Sequence, residues 1–324
     1  MSAVLQQPAD PEPPPIIGRS LALRRAVAIL ERYASTPLPI LLVGATGTGK
    51  ELFARHLHSR SGRRGALVDI DCGALPRDMI EGLLFGYRRG AFTSATEDRE
   101  GLLEAADGGT LFLDELASLP EEGQRKLLRV LDTAEVRRLG ETRTRAVRLR
   151  VVAALEQGAA SPSGPHALRR DLYQRLAGAV IHLPALAERP EDILPLARHF
   201  AALQGQALAP GAELVLERYD WPGNVRELRR VIERAGPLVE NGILPTGAIA
   251  EAIALGAWPR RPEPPTAGTD PLLAACAAHR WHAGRTAAAL GISRTTLYLQ
   301  LQRLGISLRE AKKSGIVQRL FEQS

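Results

Sequence analysis

Apolar residues along this chain switch repeatedly between two spacings, and the switching predicts the architecture. From Leu21 to Tyr33 the positions Leu23, Val27 and Leu30 recur at helical spacing. The run Pro39-Ile-Leu-Leu-Val43 reads as a short buried strand that ends on a glycine-rich turn, and Leu52–Leu57 resumes the helical pattern. Short apolar runs follow at Ala66–Ile70, Thr110–Leu113, Leu149–Ala154 and Val180–Leu183, alternating with helical stretches such as Glu121–Asp132. Strands alternating with helices predict an α/β domain with a parallel sheet covered by helices on both faces. After about Pro184 the strand pattern stops. Residues 190–255 read as helices only: Asp192–Leu203, Glu213–Tyr219, Asn224–Val239 and Thr246–Leu255.

Composition divides the chain further. Residues 1–15 hold five prolines and almost nothing to bury, which predicts a disordered segment. The Pro- and Gly-rich stretch Gly256–Thr269 reads as a linker. The expected order is therefore a disordered segment at 1–15, an α/β domain at 16–185, a helical lid at 186–255, a linker at 256–270 and an all-α module at 271–324. No apolar run approaches the roughly 18 residues of a membrane span. The N-terminus lacks the basic and apolar regions of a signal peptide. Cys72 and Cys276 stand too far apart for a zinc or disulfide framework, so both read as reduced buried thiols and the chain as cytoplasmic.

Net charge is +6 over 324 residues, and its placement matters more than its size. From Asp270 onward eight Lys/Arg face three acids, a surplus of +5, which leaves only +1 on the preceding residues. A basic C-terminal module on a near-neutral body points to nucleic acid, with a merely solvated basic tail as the alternative. The run Thr286–Leu301 resolves into a helix ending near Leu290, a turn at Gly291 and a helix capped by Ser293, which is helix-turn-helix spacing. Leu297, Leu301 and Leu304 form the buried stripe of the second helix. Arg294, Thr295, Thr296 and Tyr298 remain near its N-terminal end, the part that meets base edges, while Arg285 and Arg303 suit phosphates. A helical hairpin used for oligomerisation is the alternative.

The chemistry is concentrated around one loop. Gly44-Ala45-Thr46-Gly47-Thr48-Gly49-Lys50-Glu51 follows a strand and opens a helix, the setting of a phosphate-binding P-loop for ATP. Its glycines let backbone N–H groups turn inward on phosphates, Lys50 adds positive charge, and the helix N-terminus adds its dipole. Glu51 stands where a Ser or Thr is usual. Downstream, Thr110-Leu-Phe-Leu-Asp114-Glu115 delivers two carboxylates to a strand's carboxyl end, where ligands sit in open α/β sheets. Asp114 suits the magnesium that bridges phosphates, and Glu115 suits polarisation of an attacking water. A plain helix cap is the alternative for this acidic pair.

These strings resemble the AAA+ activators of sigma-54 RNA polymerase, the bacterial enhancer-binding proteins, over about Ile16 to Gly305. The resemblance rests on Leu84-Phe-Gly-Tyr-Arg-Arg-Gly90-Ala91-Phe92-Thr93-Ser94-Ala95, Gly109–Glu115, Leu168–Leu176, Leu183-Pro-Ala-Leu and Trp221-Pro-Gly-Asn-Val-Arg-Glu-Leu228, all in that family's order. It implies that Gly90–Ala95 contact sigma-54, with Phe92 and Thr93 foremost. It also implies that Arg169 and Arg175 reach the nucleotide of a neighbouring subunit in a hexameric ring. Arg226 would be a lid sensor, Ile17 and Gly18 would line the adenine pocket, and the C-terminal module is similar to the Fis-type DNA-binding domain. The implied function is an ATP-dependent activator that binds enhancer DNA and remodels the sigma-54 holoenzyme, with ATP and magnesium as cofactors. No receiver or sensing domain is expected before the motor, so a regulator in trans or expression level would control it.

Departures from that pattern frame the alternative. Ala45 replaces an acid, Ser94 replaces a glycine, and Leu155-Glu156 replaces a Thr-Asn sensor. Asp71 stands where an asparagine restrains the catalytic glutamate; an aspartate cannot donate that hydrogen bond and, if ionised, repels Glu115. Glu156 would present a carboxylate towards the γ-phosphate. The alternative is a nucleotide-binding DNA regulator with weak or absent hydrolysis, and a third reading is an AAA+ regulator acting through another sigma factor.

Overall fold

A computed structural model describes residues 13–256 apart from 75, 94, 157–167 and 240, together with 272, 275–276, 282–290, 294, 297 and 301 in the C-terminal unit. Residues 1–256 form one unit and 257–324 another.

The first unit opens with α1 (Leu21–Ala34), followed by β1 (Ile40–Val43), α2 (Lys50–Arg60), β2 (Leu67–Asp71), α3 (Arg77–Phe85), α4 (Leu102–Ala105) and β3 (Thr110–Asp114). It continues through α5 (Glu121–Thr133), the hairpin β4 (Glu135–Val136) and β5 (Arg145–Ala146), β6 (Arg150–Leu155), α6 (Arg170–Leu176) and β7 (Ala179–His182). The five longer strands form a parallel sheet in the order β2-β3-β6-β1-β7. Successive side chains of a strand point to opposite faces, so each strand feeds two cores. Leu41, Leu111, Leu113, Val151, Ala153 and Leu155 pack with α3, α4, α5 and α6 on one face. Ile40, Leu42, Phe112, Val152 and Ala154 pack with α1 and α2 on the other. Both faces are therefore dry along the inner strands β1, β3 and β6, which is why these read as apolar runs rather than alternating ones, while the edge strand β2 carries Asp69 and Asp71.

One charged side chain is buried inside this arrangement. Arg150, 1% exposed, donates from Nε to the Leu38 carbonyl (3.1 Å), from Nη1 to Ala34 (2.5 Å) and from Nη2 to Tyr33 (2.7 Å). It thereby serves the Tyr33 and Ala34 carbonyls at the end of α1, where helical partners run out, and the Leu38 carbonyl just before β1.

The lid follows as α7 (Ile193–Ala202), β8 (Ala207–Leu208), α8 (Ala212–Glu217), α9 (Asn224–Ala235), β9 (Ile243–Leu244) and α10 (Thr246–Gly256). Its core gathers Leu196, Leu216, Leu228, Ile232 and Ile249 around Trp221, whose indole N–H donates to the Leu216 carbonyl at 2.8 Å. The expectation of helices only between 190 and 255 is corrected here, because β8 and β9 pair in parallel. Two-residue strands are too short to print a period-2 pattern. The third helix of the lid, α9, is also shorter than the expected Asn224–Val239, since Gly236–Leu238 continues it as a 3-10 turn.

In the C-terminal unit α11 spans Ala283–Ala289, and Leu272, Cys276, Ala287, Leu297 and Leu301 form its buried cluster. Leu304 and Ser293 lie outside the described residues.

Candidate nucleotide-binding site

The loop between β1 and α2 is shaped by its glycines and pinned by the lid. Gly47 has φ of +79°, and a side chain there would collide with the Gly223 carbonyl, so only glycine fits. Lys50 Nζ donates to the Gly44 carbonyl at 2.9 Å and to the Ala45 carbonyl at 3.2 Å, and the Thr48 hydroxyl donates to Ala45 at 2.8 Å. Gly49, with φ of +105°, is the residue before the first turn of α2. Glu51 on that turn pairs with Arg55 at 2.9 Å. Beside the loop opens a cleft of about 1360 Å³, lined by Ile17, Thr48, Gly49, Glu51, Arg189 and Val225 among others. Gly18 lies behind it, packed against Leu23 and the Asp192 carboxylate.

Two carboxylates converge on the loop from β3. Asp114 closes the strand, and its Oδ1 accepts from the Glu115 N–H at 2.9 Å. Glu115 holds φ of +49°, a strained conformation for a residue with a side chain, stored where chemistry is expected. Burial raises the Asp114 carboxyl above its ordinary range, and Asp71 and Glu51 add to the rise against Lys50. Glu115 is raised as well, by burial first and then by Asp71, Asp114 and Glu156. Lys50 is lowered by burial, although Asp114, Glu156 and Glu115 pull it back up. Cys72, buried beside the same acids, is pushed up to about 12 and is inert as a nucleophile. The crowding of Asp114 and Glu115 by like charge is what a hard divalent cation relieves, so this donor set fits magnesium held jointly with phosphate and water oxygens.

Asp71 does not reach Glu115 with a hydrogen bond. Its Oδ1 accepts instead from the backbone N–H groups of Gly73 (2.8 Å) and Ala74 (3.2 Å). The Glu115 carboxylate rests against the Cα of Gly73, in space that any side chain at that position would fill. On the other side, Thr46 Oγ1 donates to Glu156 Oε1 at 3.2 Å, so the carboxylate after β6 lies directly on the loop.

Three lid groups tie down the same loop. The Arg226 N–H donates to the Gly47 carbonyl (3.3 Å), Asn224 Nδ2 to the Thr46 carbonyl (3.0 Å) and Arg189 Nη2 to the Thr48 carbonyl (3.1 Å). Asn224 also accepts from the Leu186 N–H at 2.7 Å, while Arg189 is 3% exposed with its Nε unpartnered. Sequence reasoning singled out Arg226 and missed both other residues. The left-handed asparagine of the Trp-Pro-Gly-Asn turn was the available signal for one of them; Arg189 gave none.

The remaining candidates lie elsewhere. Arg169 pairs with Asp171 (2.7 Å) and Glu121 (3.3 Å), and Arg175 with Asp132 (3.1 Å), on the surface formed by α5 and α6. In the loop at 90–95, Gly90 N–H donates to the Ala95 carbonyl at 2.8 Å. Thr93 is exposed, Ala91 is half-buried and Ala95 is buried, while Ser94 lies outside the described residues. Phe92 stays 42% exposed but stands edge-on to Tyr87, with ring centroids 4.8 Å apart. The β4–β5 hairpin, which the sequence did not reveal, underpins this loop: Arg88 N–H donates to the Leu139 carbonyl, and Gly140 packs on Ala91. Arg138 anchors the hairpin through a two-pronged pair with the half-buried Glu104, at 2.7 and 2.8 Å. Of the DNA candidates, Arg294 is exposed; Thr295, Thr296, Tyr298, Arg303 and the Arg285 side chain lie outside the described residues.

Residues 16–182 match the family described as the Sigma-54 interaction domain. The chain belongs to the sigma-54 activator family. Residues 187–259 match the AAA+ ATPase lid domain and 271–309 the bacterial regulatory proteins of the Fis family. The chain is 48% identical to the nitric oxide reductase transcription regulator NorR2 of Cupriavidus necator, over 68% of this chain and 44% of that protein. It is 42% identical to the C4-dicarboxylate transport transcriptional regulatory protein DctD of Rhizobium meliloti, over 90% of this chain and 65% of that protein. It thus spans roughly half to two thirds of the length of these relatives. Among solved structures, NtrX of Brucella abortus in complex with ATP superposes with a TM-score of 0.67 at 30% identity, covering 90% of this chain and 70% of that one. Among the described residues no helix is long and apolar enough to cross a membrane.

Proposed function

We propose that this sigma-54 activator family member hydrolyses ATP with magnesium, binds enhancer DNA and remodels sigma-54 polymerase during promoter opening. The observation that carries the reading is the convergence of Lys50, Asp114 and Glu115 on one phosphate loop. Lys50 and the loop N–H groups would hold the phosphates, Asp114 would hold magnesium, and Glu115 would accept a proton from the attacking water. Metal supplies charge neutralisation across the phosphates. Arg169 and Arg175 would serve a neighbouring subunit of a ring, exchanging their present acidic partners for a γ-phosphate. Phe92 and Thr93 on the hairpin-supported loop would meet sigma-54, and Arg294 would face DNA. ATP-dependent open-complex formation with sigma-54 holoenzyme on an enhancer template tests this; a wild-type protein that yields none sinks the proposal. A Phe92→Ala variant should lose open-complex formation while retaining phosphate release.

A second reading has its own support. Asp71 is engaged by its own turn and acts on Glu115 as a like charge, and Glu156 lies on the phosphate loop. These favour a DNA-bound regulator that binds nucleotide without turning it over. Phosphate release equal to that of Glu115→Gln is the outcome that selects it.

A further inference from the structure

Strand β6 runs parallel to β1, pairing Val43 with Leu155, and the Gly44 N–H donates to the Leu155 carbonyl at 3.2 Å. The register fixes what comes next. As β1 turns into the phosphate loop, β6 delivers Glu156 beside it, and Thr46 Oγ1 donates to Glu156 Oε1 at 3.2 Å. The carboxylate is within electrostatic reach of both Lys50 and Glu115. A P-loop lysine serves the outer phosphates of a bound nucleotide, whereas the loop N–H groups cradle the inner ones. Glu156 is therefore a fixed negative charge on the side of the site that a third phosphate must enter. Lys50 does not offset it by direct contact, since its ammonium is turned to the carbonyls of Gly44 and Ala45.

We infer that Glu156 makes this site select nucleoside diphosphate over nucleoside triphosphate. Entry of the terminal phosphate requires the Thr46–Glu156 hydrogen bond to open and places like charges within a few ångströms of each other. A diphosphate keeps the loop contacts without either cost. The inference rests on the proposed nucleotide-binding role of the loop and concerns which nucleotide the site holds at rest.

The test is the affinity of the whole chain for ADP and for a non-hydrolysable ATP analogue, each with magnesium, in the wild type and in Glu156→Gln. Glutamine preserves the shape and the capacity to accept from Thr46 while removing the charge. Wild type should bind ADP at least about tenfold more tightly than the analogue, equivalent to ~1.4 kcal/mol. Glu156→Gln should bring the two affinities to within about threefold by strengthening the triphosphate, with ADP nearly unchanged. Because the discrimination is Coulombic, the wild-type ratio should also narrow from low to high salt, a readout that needs no variant. Equal or tighter triphosphate binding by the wild type overturns the inference, and so does an unchanged ratio in the variant. Weaker triphosphate binding by Glu156→Gln overturns it too, because Glu156 would then be assisting the metal–triphosphate complex. If the wild type binds neither nucleotide, the underlying nucleotide-binding reading fails and this inference falls with it.

Discussion

Asn224 offers a sharp test of how the lid controls the phosphate loop. Its side chain is 3% exposed, donates to the Thr46 carbonyl at 3.0 Å and accepts from the Leu186 N–H at 2.7 Å, and its φ is +54°. Substitution by alanine leaves the Leu186 N–H buried without an acceptor, at about 1–3 kcal/mol, and removes the Thr46 contact, at about 1 kcal/mol. Holding alanine in the left-handed conformation adds about 1 kcal/mol. The total is about 3–5 kcal/mol, large against the margin of a folded domain. For a unit of this size each kcal/mol lowers Tm by about 2–4 °C, so Asn224→Ala should melt at least about 6 °C below wild type. Asn224→Gly separates the contributions, because glycine removes the backbone strain but not the lost hydrogen bonds. It should recover about 1 kcal/mol and no more. Both variants should bind ADP more weakly, since Thr46 is no longer held in the loop. A glycine variant equal to wild type in both Tm and ADP affinity refutes the latch, leaving backbone conformation as the whole effect.

Three further outcomes follow from the same geometry. Gly73→Ala should reduce phosphate release while leaving ADP affinity near wild type, because the new methyl group occupies the resting place of the Glu115 carboxylate; unchanged turnover refutes this. Arg150→Met takes away the side-chain donor of the Ala34 and Leu38 carbonyls and one of the donors of Tyr33, which keeps Thr36, and should cost about 3–5 kcal/mol in chemical denaturation, whereas a loss under about 1 kcal/mol contradicts the assignment. Turnover should rise on an acidic limb lying above the ordinary glutamate value of 4.5, because Glu115 and Asp114 are raised, and should fall on an alkaline limb below the ordinary lysine value of 10.5, because Lys50 is lowered. The same raised carboxyls bind protons in the folded state that the unfolded chain has already released, so their effect is to lower stability as pH climbs through that window.

The sheet was legible in the sequence because its strands are dry on both faces. Runs such as Ile40–Val43 and 151–155 therefore stand out as unbroken apolar segments between helical periods. The phosphate loop was equally plain, since glycine spacing, lysine and flanking elements all lie within a dozen residues. What stayed hidden was whatever depends on chain reversal over long distances. Asn224 meets Thr46 across 178 residues and Arg189 meets Thr48 across 141, and no local pattern announces either contact. The β4–β5 and β8–β9 pairings escaped because two residues carry no period. Glu156 was conspicuous as a departure from a resembled pattern, but only the register of β6 on β1 places its carboxylate on Thr46.

The central claim is that Glu115 activates water at a magnesium–ATP site built from Lys50 and Asp114. Its most direct test is steady-state phosphate release, measured over a range of protein concentrations, for wild type beside Glu115→Gln. The account predicts release that rises cooperatively with wild-type concentration as rings assemble, against a flat baseline in the variant, which still binds nucleotide. Wild-type release that matches Glu115→Gln at every concentration would contradict it.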